Sequence, residues 1–163
     1  MTRPLLAFTG IFLNEAASIR ATLESVRPFV DRYAIVDTGS TDGTPDIVRE
    51  VMAGIPGDII ADPDCGSIKT RDGYGRPVVV PGFDFAIARN RALDLEAGCL
   101  FHWTKYPDGS IGGRLSNAVF AISLSGGETL SDGPALRAFL SDHVNSNVNA
   151  FHLQVQRGAL AFY

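Results

Sequence analysis

The first half of the chain alternates between short apolar runs and segments with a single apolar stripe. Residues 5–13 are apolar on both faces, which is typical of a buried strand in a parallel sheet. Residues 15–30 carry apolar side chains at helical spacing, and residues 33–36 form a second apolar run. A polar turn follows and ends in Thr44 and Pro45, which predict an N-cap and the first position of a second helix. This order of elements predicts a parallel sheet covered by helices.

The second half adds two predicted strands and two segments rich in turn-forming residues. Residues 58–61 predict a short third strand, and residues 119–124 predict the most central strand of the sheet. Between them, residues 62–82 are dense in Gly, Pro and Asp and predict an excursion, such as a hairpin, outside the sheet. The remaining predictions are helices at 83–95 and 134–143, a loop over most of 96–117, and a hairpin formed by 150–156 and 159–163.

Length and composition fit one α/β domain, and the order of its elements predicts a mostly parallel sheet with flanking helices, a Rossmann-like arrangement. The 163 residues are 45% hydrophobic and carry a formal net charge of −4 without a long basic run, so we expect no nucleic-acid partner. The two cysteines form no C-x-x-C pair and indicate neither a disulfide framework nor a zinc site.

No apolar run approaches the length of a membrane span, and no cleavage signal follows the apolar start. We therefore expect a cytoplasmic chain without a transmembrane segment.

Three polar turns follow predicted strands of the sheet. They are residues 14–15, 37–42 and 125–128. Because open α/β sheets bind ligands outside the carboxyl ends of their strands, these turns are expected to converge on one site.

Four segments in order resemble the family 2 glycosyltransferases: FLNEAASI, AIVDTGSTDGT, FDFAIARNRAL and FAISLSGGETL. In that family an opening strand ends in Asn-Glu, a second strand runs into Asp-x-Gly-Ser-x-Asp-Gly-Thr, an Ala-Arg-Asn helix follows, and a later strand ends in Asp-x-Asp. The resemblance covers most of residues 5–163. It implies a GT-A fold and transfer of a sugar, with inversion, from a nucleoside-diphosphate sugar to a saccharide, lipid or protein acceptor. On this basis residues 1–163 form a single donor-binding domain that is incomplete on its C-terminal side.

The resemblance also assigns roles to individual residues in the first three motifs. Asp37 would accept hydrogen bonds from the nucleobase or ribose, although an aspartate there can also merely cap its own turn. Leu13 would lie beside the base. Glu15 would contact the donor nucleoside, but an acidic residue in a first helical turn is also favourable through the helix dipole alone. Arg89 would bind the diphosphate, with an ordinary exposed arginine as the alternative. Asp42 is interpreted as structural.

The fourth motif departs from the family. Ser125 and Gly127 stand where the family has the two aspartates that hold a divalent cation, Mg²⁺ or Mn²⁺, and both remain candidate donor contacts. Glu128 is the remaining acidic residue nearby and the candidate metal ligand, or else an ordinary turn residue. Three possibilities stay open: the site uses Glu128, it uses Arg89 in place of the cation, or it is inactive. No residue is assigned as the catalytic base.

Three other functions compete with this interpretation. A haloacid-dehalogenase-like phosphatase needs two aspartates two positions apart directly after a strand, and Ser40 stands two positions before Asp42. A dinucleotide-binding fold needs a G-x-G-x-x-G sequence after the first strand, which is missing. The third alternative is a non-catalytic module that retains the fold and binds a nucleotide or nothing. It is favoured by the missing aspartates, and nucleotide binding without turnover would identify it.

Overall fold

The computed structural model describes residues 4–96, 103–105, 111–113, 120–144, 154–156 and 159–161. Its elements, in chain order, are β1 (Leu6–Phe12), α1 (Ile19–Val26), β2 (Arg32–Asp37), α2 (Thr44–Val51), β3 (Gly57–Ala61), β4 (Ser67–Arg71), β5 (Pro77–Phe83), α3 (Phe85–Glu96), β6 (Trp103–Lys105), β7 (Ile111–Gly113), β8 (Phe120–Ile122), α4 (Gly133–His143), β9 (Gln154–Gln156) and β10 (Ala159–Ala161).

Four of these strands form an all-parallel sheet in the order β3-β2-β1-β8. From β1 the chain moves outward to β2 and β3 and then returns to the other side of β1 with β8. The register pairs Phe12 with Asp37, so β1 and β2 end at the same level. The predicted α/β class with a parallel sheet is confirmed.

Helices cover both faces of the sheet. On one face, Leu6, Phe8 and Phe12 of β1 are buried in a large core with apolar side chains of α1, α2 and α4. On the other face, Val36 packs in a smaller cluster with Ala88 of α3. The alternation of side chains along each strand therefore supplies two cores, as a sheet that is buried on both faces requires. Within the described residues, no helix has both the length and the apolar character needed to cross a bilayer.

The first two helices begin differently from the prediction. Helix α1 starts at Ile19 and not at Glu15, because Glu15 opens a turn in which its carbonyl accepts from the N–H groups of Ser18 and Ile19. The assignment of Thr44 as the N-cap of α2 is wrong. Gly43 occupies that position with φ of 85°, in the left-handed region that glycine adopts readily, and Thr44 is already helical.

The prediction that residues 119–124 form the central strand is wrong. Among the described strands, β8 pairs with β1 alone and covers only three residues. Ile122 and Leu124 are buried in the larger core whereas Ala121 and Ser123 are exposed, so the segment is buried on one face only. Ala121 is apolar but small enough to be exposed at little cost, so a strand that is buried on one face only has an apolar pattern on both.

The predicted hairpins are confirmed where the chain is described. Strands β4 and β5 pair antiparallel in a two-stranded sheet of their own, and β9 and β10 do the same. The loop predicted over most of residues 96–117 is wrong for β6 and β7, which form a further short antiparallel pair. The helix predicted at 134–143 is α4, whose N-cap is Asp132.

Candidate functional site

The turns after β1 and β2 interlock through hydrogen bonds. Asn14 adopts a positive φ of 54°, which asparagine tolerates better than most residues. Its backbone N–H donates to the Ser40 hydroxyl at 2.8 Å, and its side-chain oxygen accepts from the Thr41 N–H at 2.8 Å. The Asn-Glu motif and the Asp-Thr-Gly-Ser-Thr-Asp-Gly-Thr turn are therefore two halves of one structure.

Asp42 completes this arrangement and is structural, as its position suggested. Its carboxylate accepts from the Thr44 hydroxyl at 2.6 Å and from the Ala16 N–H at 2.9 Å. These hydrogen bonds, the one from Thr44 first, lower the pKa of Asp42 below its ordinary value. The Thr44 hydroxyl in turn accepts from the N–H of Glu15 at 2.8 Å, which fixes the backbone that carries the Glu15 side chain.

The turn after β8 is attached to helix α1. The Gly127 N–H donates to the hydroxyl of the fully buried Thr22 at 3.0 Å, and the Leu130 N–H donates to the Ser25 hydroxyl at 2.9 Å. Gly127 has φ of 86°, so the turn requires glycine there. Two side chains of α1 thus set the position of the turn that replaces the Asp-x-Asp sequence.

A cavity of about 410 Å³ lies where these turns meet, a volume typical of small-molecule sites. It opens at the carboxyl ends of β1 and β8, where the strand order reverses, which is where open α/β sheets bind ligands. Four of the seven candidate residues line it: Leu13, Glu15, Arg89 and Ser125. Asp37, Gly127 and Glu128 are not among the residues that form its wall.

Arg89 presents an unpaired cation to this cavity. Its side chain projects from α3 and is exposed, and no hydrogen-bond or ion-pair partner is found for it within the described part of the chain. Arg91, two positions further on, is paired with Asp62 at 3.2 Å. Because a guanidinium presents a fork of donors that matches an anionic oxygen pair, Arg89 is the arginine of this helix that is available to an anionic ligand.

Glu15 faces the turn after β8 from the other wall. Its carboxylate accepts from the Ser18 hydroxyl at 2.5 Å and fills the space beside Gly126, where a side chain would overlap a carboxylate oxygen. Since α1 begins at Ile19, Glu15 lies ahead of the first helical turn. Its hydrogen bond with Ser18, the N-cap residue of α1, nevertheless places the carboxylate at the positive end of that helix, so the helix-dipole explanation still stands beside the functional one.

Asp37 is buried, with 3% of its surface exposed. One carboxylate oxygen, Oδ2, accepts from the N–H groups of Ser40 at 3.0 Å and Gly39 at 3.3 Å, so Asp37 caps its own turn. The other oxygen, Oδ1, is buried without a hydrogen-bond partner among the described residues. Because more than about 90% of buried polar atoms are paired in proteins, this oxygen has an unused capacity to accept a hydrogen bond.

A comparison with known families bears on the first two motifs. Residues 11–70 match glycosyl transferase family 2. The resemblance is thereby confirmed for the stretch that holds Leu13, Glu15 and Asp37, and it supports a glycosyltransferase function in general terms. Arg89 and Ser125 lie beyond the match, and the fold brings them to the same cavity. No curated protein and no solved structure matches the chain.

The cation site that family 2 implies is fitted poorly by the residues present. The Glu128 carboxylate accepts from the Ser125 N–H at 2.6 Å and closes its own turn, and Glu128 is not among the residues that line the cavity. In the part of the chain that is described, no group of three or more His, Cys, Asp or Glu side chains is arranged to hold a metal ion. A divalent cation prefers several oxygen ligands with at least one carboxylate, and this turn offers it only one, already engaged in a hydrogen bond.

Sequence reasoning missed two aromatic residues on the cavity wall. Phe83 and Phe85 both line the cavity and are 41% and 64% exposed. Between them, Asp84 accepts from the N–H groups of Ala86 at 2.8 Å and Ile87 at 3.2 Å and so caps α3, which begins at Phe85 rather than at Phe83. The signal that could have found them is an N-cap aspartate with an aromatic residue on either side, at the end of a hairpin.

Proposed function

We propose that the chain binds a nucleoside-diphosphate sugar in this cavity and transfers the sugar to an acceptor hydroxyl. The observation that carries the proposal is Arg89, which has no partner among the described residues and lies on the wall of a cavity at the carboxyl ends of β1 and β8. The segment that matches family 2 contributes to the same cavity. A diphosphate supplies the anionic oxygens that this guanidinium lacks. Glu15 and Ser125 on the facing wall would contact the rest of the donor.

The proposed reaction is a direct displacement at the anomeric carbon. The acceptor hydroxyl oxygen forms a bond to that carbon and releases its proton to solvent, while the bond from the carbon to the diphosphate oxygen breaks. A single displacement of this kind inverts the configuration. The leaving nucleoside diphosphate carries away the bonding electron pair. Arg89 would bind the diphosphate more strongly as this negative charge develops, which lowers the barrier.

The nucleoside end of the donor is assigned to the ends of β1 and β2. Because Oδ1 of Asp37 is buried and off the cavity wall, part of the surrounding turn would have to move before the base or the ribose could donate a hydrogen bond to it. Leu13, which lines the cavity, would lie beside the base. A ligand N–H or O–H that reaches Oδ1 would satisfy a buried acceptor, and such contacts discriminate strongly between ligands that can and cannot make them.

The counter-charge for the diphosphate is assigned to Arg89 and not to a Glu128-bound cation. Arg89 lies on the cavity wall without a partner in the part of the chain that is described, whereas the Glu128 carboxylate is engaged by the Ser125 N–H. Binding of the donor would then depend only weakly on Mn²⁺ or Mg²⁺.

A binding module without catalysis is the second candidate, and the turn after β8 favours it. That turn offers no pair of carboxylates at the position where family 2 holds its cation. The two candidates share the donor site and differ in turnover. Release of nucleoside diphosphate from a bound nucleotide sugar would identify the enzyme, and binding without release would identify the module.

A thermal-shift titration with UDP, GDP, TDP and CDP, with and without Mn²⁺, tests the donor site. A ligand at about a hundred times its dissociation constant adds roughly 2.7 kcal/mol of stability. At least one nucleotide should stabilise the parent chain and stabilise Asp37→Asn less, while Asp46→Asn on the exposed side of α2 behaves as the parent. If no nucleotide stabilises the parent, the donor-site proposal is wrong.

A further inference from the structure

Two aromatic rings form an exposed apolar face on the cavity wall. The rings of Phe83 and Phe85 meet edge to face, with centroids 4.9 Å apart and an interplanar angle of 76°. Single exposed apolar residues are common, but two adjacent aromatic rings on the wall of a ligand-sized cavity present a surface that a ligand can cover.

The surrounding chain holds this aromatic pair in place. The Phe83 ring lies against the backbone of Gly66, so close that a Cβ on residue 66 would stand 2.7 Å from a ring carbon. The Asp84 N–H donates to the Gly66 carbonyl at 2.7 Å, which joins the base of the β4–β5 hairpin to the start of α3. The Phe83 ring therefore packs on the backbone of Gly66, and the Phe85 ring packs against the Phe83 ring.

The position of Phe85 relative to Arg89 indicates what the pair binds. The two residues are four positions apart on α3, so they share one face of the helix with Cβ atoms about 5–6 Å apart. Both line the same cavity. A ligand that fits them carries a flat apolar ring a short distance from an anionic group, and in a nucleoside diphosphate one ribose separates these two parts.

We propose that Phe83 and Phe85 form the surface on which the nucleobase of the donor stacks. This inference rests on the proposed function, because it takes the anion at Arg89 to be the donor diphosphate. Thr38 and Leu13, at the ends of β2 and β1 to which the nucleoside was assigned, line the same cavity as the aromatic pair.

Different residues would then stack on the face of the base and form polar contacts with its edge. Every base has a π-face, so stacking on Phe85 adds affinity for all nucleotides without choosing among them. Discrimination between bases would come from polar contacts such as the free oxygen of Asp37. Removal of the Phe85 ring should therefore weaken UDP, GDP, TDP and CDP alike.

Calorimetric titrations of the parent, Phe85→Ala and Ile87→Ala with UDP and with pyrophosphate test this proposal. Ile87 is the matched control, since it is 46% exposed on the same helix and is not among the cavity-lining residues. Phe85→Ala should bind UDP about ten- to a hundred-fold more weakly. Its response to pyrophosphate should equal that of the parent, and Ile87→Ala should match the parent for both ligands.

A second variant gives a spectroscopic readout of the same contact. Phe85→Trp keeps an aromatic face, so it should retain UDP affinity, and a stacked base should quench the emission of the new indole. The parent titrated in parallel supplies the contribution of Trp103. Pyrophosphate should cause no such quenching.

Two results would overturn the stacking proposal and leave the donor site standing. One is UDP binding by Phe85→Ala with parental affinity, which would assign the aromatic pair to something other than the base. The other is an equal loss of UDP and pyrophosphate binding, which would show general damage to the cavity. Failure of the parent chain to bind any nucleotide would instead overturn the donor site itself.

Discussion

At the scale of single residues, the Glu15 carboxylate occupies space that a side chain on residue 126 would otherwise fill. The Glu15 carboxylate lies against Gly126, and the absence of a Cβ there is what makes the contact possible. Family 2 places two aspartates in this turn. Here the carboxylate beside the turn is that of Glu15, which follows β1. Glu15 and Gly126 should behave as a coupled pair when either is replaced.

Gly126→Ala should displace the Glu15 carboxylate without unfolding the chain. The added methyl group collides with the end of a flexible side chain, so we expect the free energy of unfolding to change by no more than about 1 kcal/mol. The affinity for the stabilising nucleotide should fall about tenfold, by an amount similar to that in Glu15→Gln.

Gly73→Ala is the control for this substitution, because a Cβ at residue 73 meets nothing within 4 Å. Urea unfolding and calorimetric titration of the three variants provide the comparison. Parental affinity in Gly126→Ala would show that the position of the Glu15 carboxylate does not matter for binding.

Residue identity predicted part of the site and could not predict the rest. The position of Arg89 in the Ala-Arg-Asn sequence selected it over Arg91, and the ion pair of Arg91 with Asp62 agrees with that choice. The exposure of Phe83 and Phe85 was not predictable, because it depends on how the β4–β5 hairpin packs against the start of α3. A helical pattern that includes Phe83 gives no sign of its contact with Gly66.

At the scale of elements, helix α1 holds the turn after β8 through two hydroxyl groups. Thr22 is fully buried and accepts from the Gly127 N–H, and Ser25 accepts from the Leu130 N–H. These contacts span more than a hundred positions of sequence, so no local pattern indicates them. They connect the stability of the helix to the shape of the site.

Thr22→Val should lower stability and loosen this turn. Valine has the shape of threonine but leaves the Gly127 N–H without its acceptor, which costs about 1–3 kcal/mol. Urea unfolding measures the loss, and the nucleotide affinity should fall with it because Ser125 and Gly126 line the cavity. Thr22→Ser keeps the hydroxyl and should lose less, and an equal loss in both variants would assign the effect to packing alone.

The elements themselves were predicted best where one local signal dominates. The apolar run of β1 and the turn-rich segment that contains the β4–β5 hairpin were both recognised from sequence. The start of α1 was placed four residues early, since the N–H groups of Glu15 and Ala16 donate to Thr44 and Asp42 in the segment after β2 and hold this stretch in a turn. The pairing of β8 with β1 alone among the described strands was missed, because strand order is a property of the whole sheet.

At the scale of the whole molecule, Asp31 joins three elements that are distant in sequence. Its carboxylate accepts from the N–H groups of Leu5 at 2.8 Å and Leu6 at 3.0 Å and from Arg137 of α4 at 3.0 Å. Burial alone would raise the pKa of Asp31. The hydrogen bonds from Leu6, Arg137 and Leu5 outweigh burial, and the pKa lies below its ordinary value.

Because the pKa of Asp31 is lowered in the folded chain, the free energy of unfolding depends on pH. The unfolded chain binds a proton at Asp31 more readily than the folded chain does, so the stabilisation is present above the unfolded pKa of about 3.9. It is lost as the pH falls through the lowered pKa of the folded state. Asp31→Asn should reduce the free energy of unfolding by about 1–2 kcal/mol at pH 7, and the difference should shrink below about pH 4.

Urea unfolding of the parent and Asp31→Asn across this pH range measures the effect. Asp46→Asn, which changes an exposed ion pair on α2, serves as the control and should change stability little at any of these pH values. A difference between Asp31→Asn and the parent that is the same at pH 3 and pH 7 would show that the charge of Asp31 does not contribute.

The central claim is that a nucleoside diphosphate binds where the ends of β1, β2 and β8 meet. The most direct test is a map of backbone amide chemical shifts during titration of the ¹⁵N-labelled chain, whose mass is 17.4 kDa, with the nucleotide that stabilises it. The account predicts that the largest shifts fall on Leu13, Thr38, Arg89, Ser125 and Gly126, which line the cavity. Shifts confined to other surfaces, or no shifts at saturating nucleotide, would contradict it.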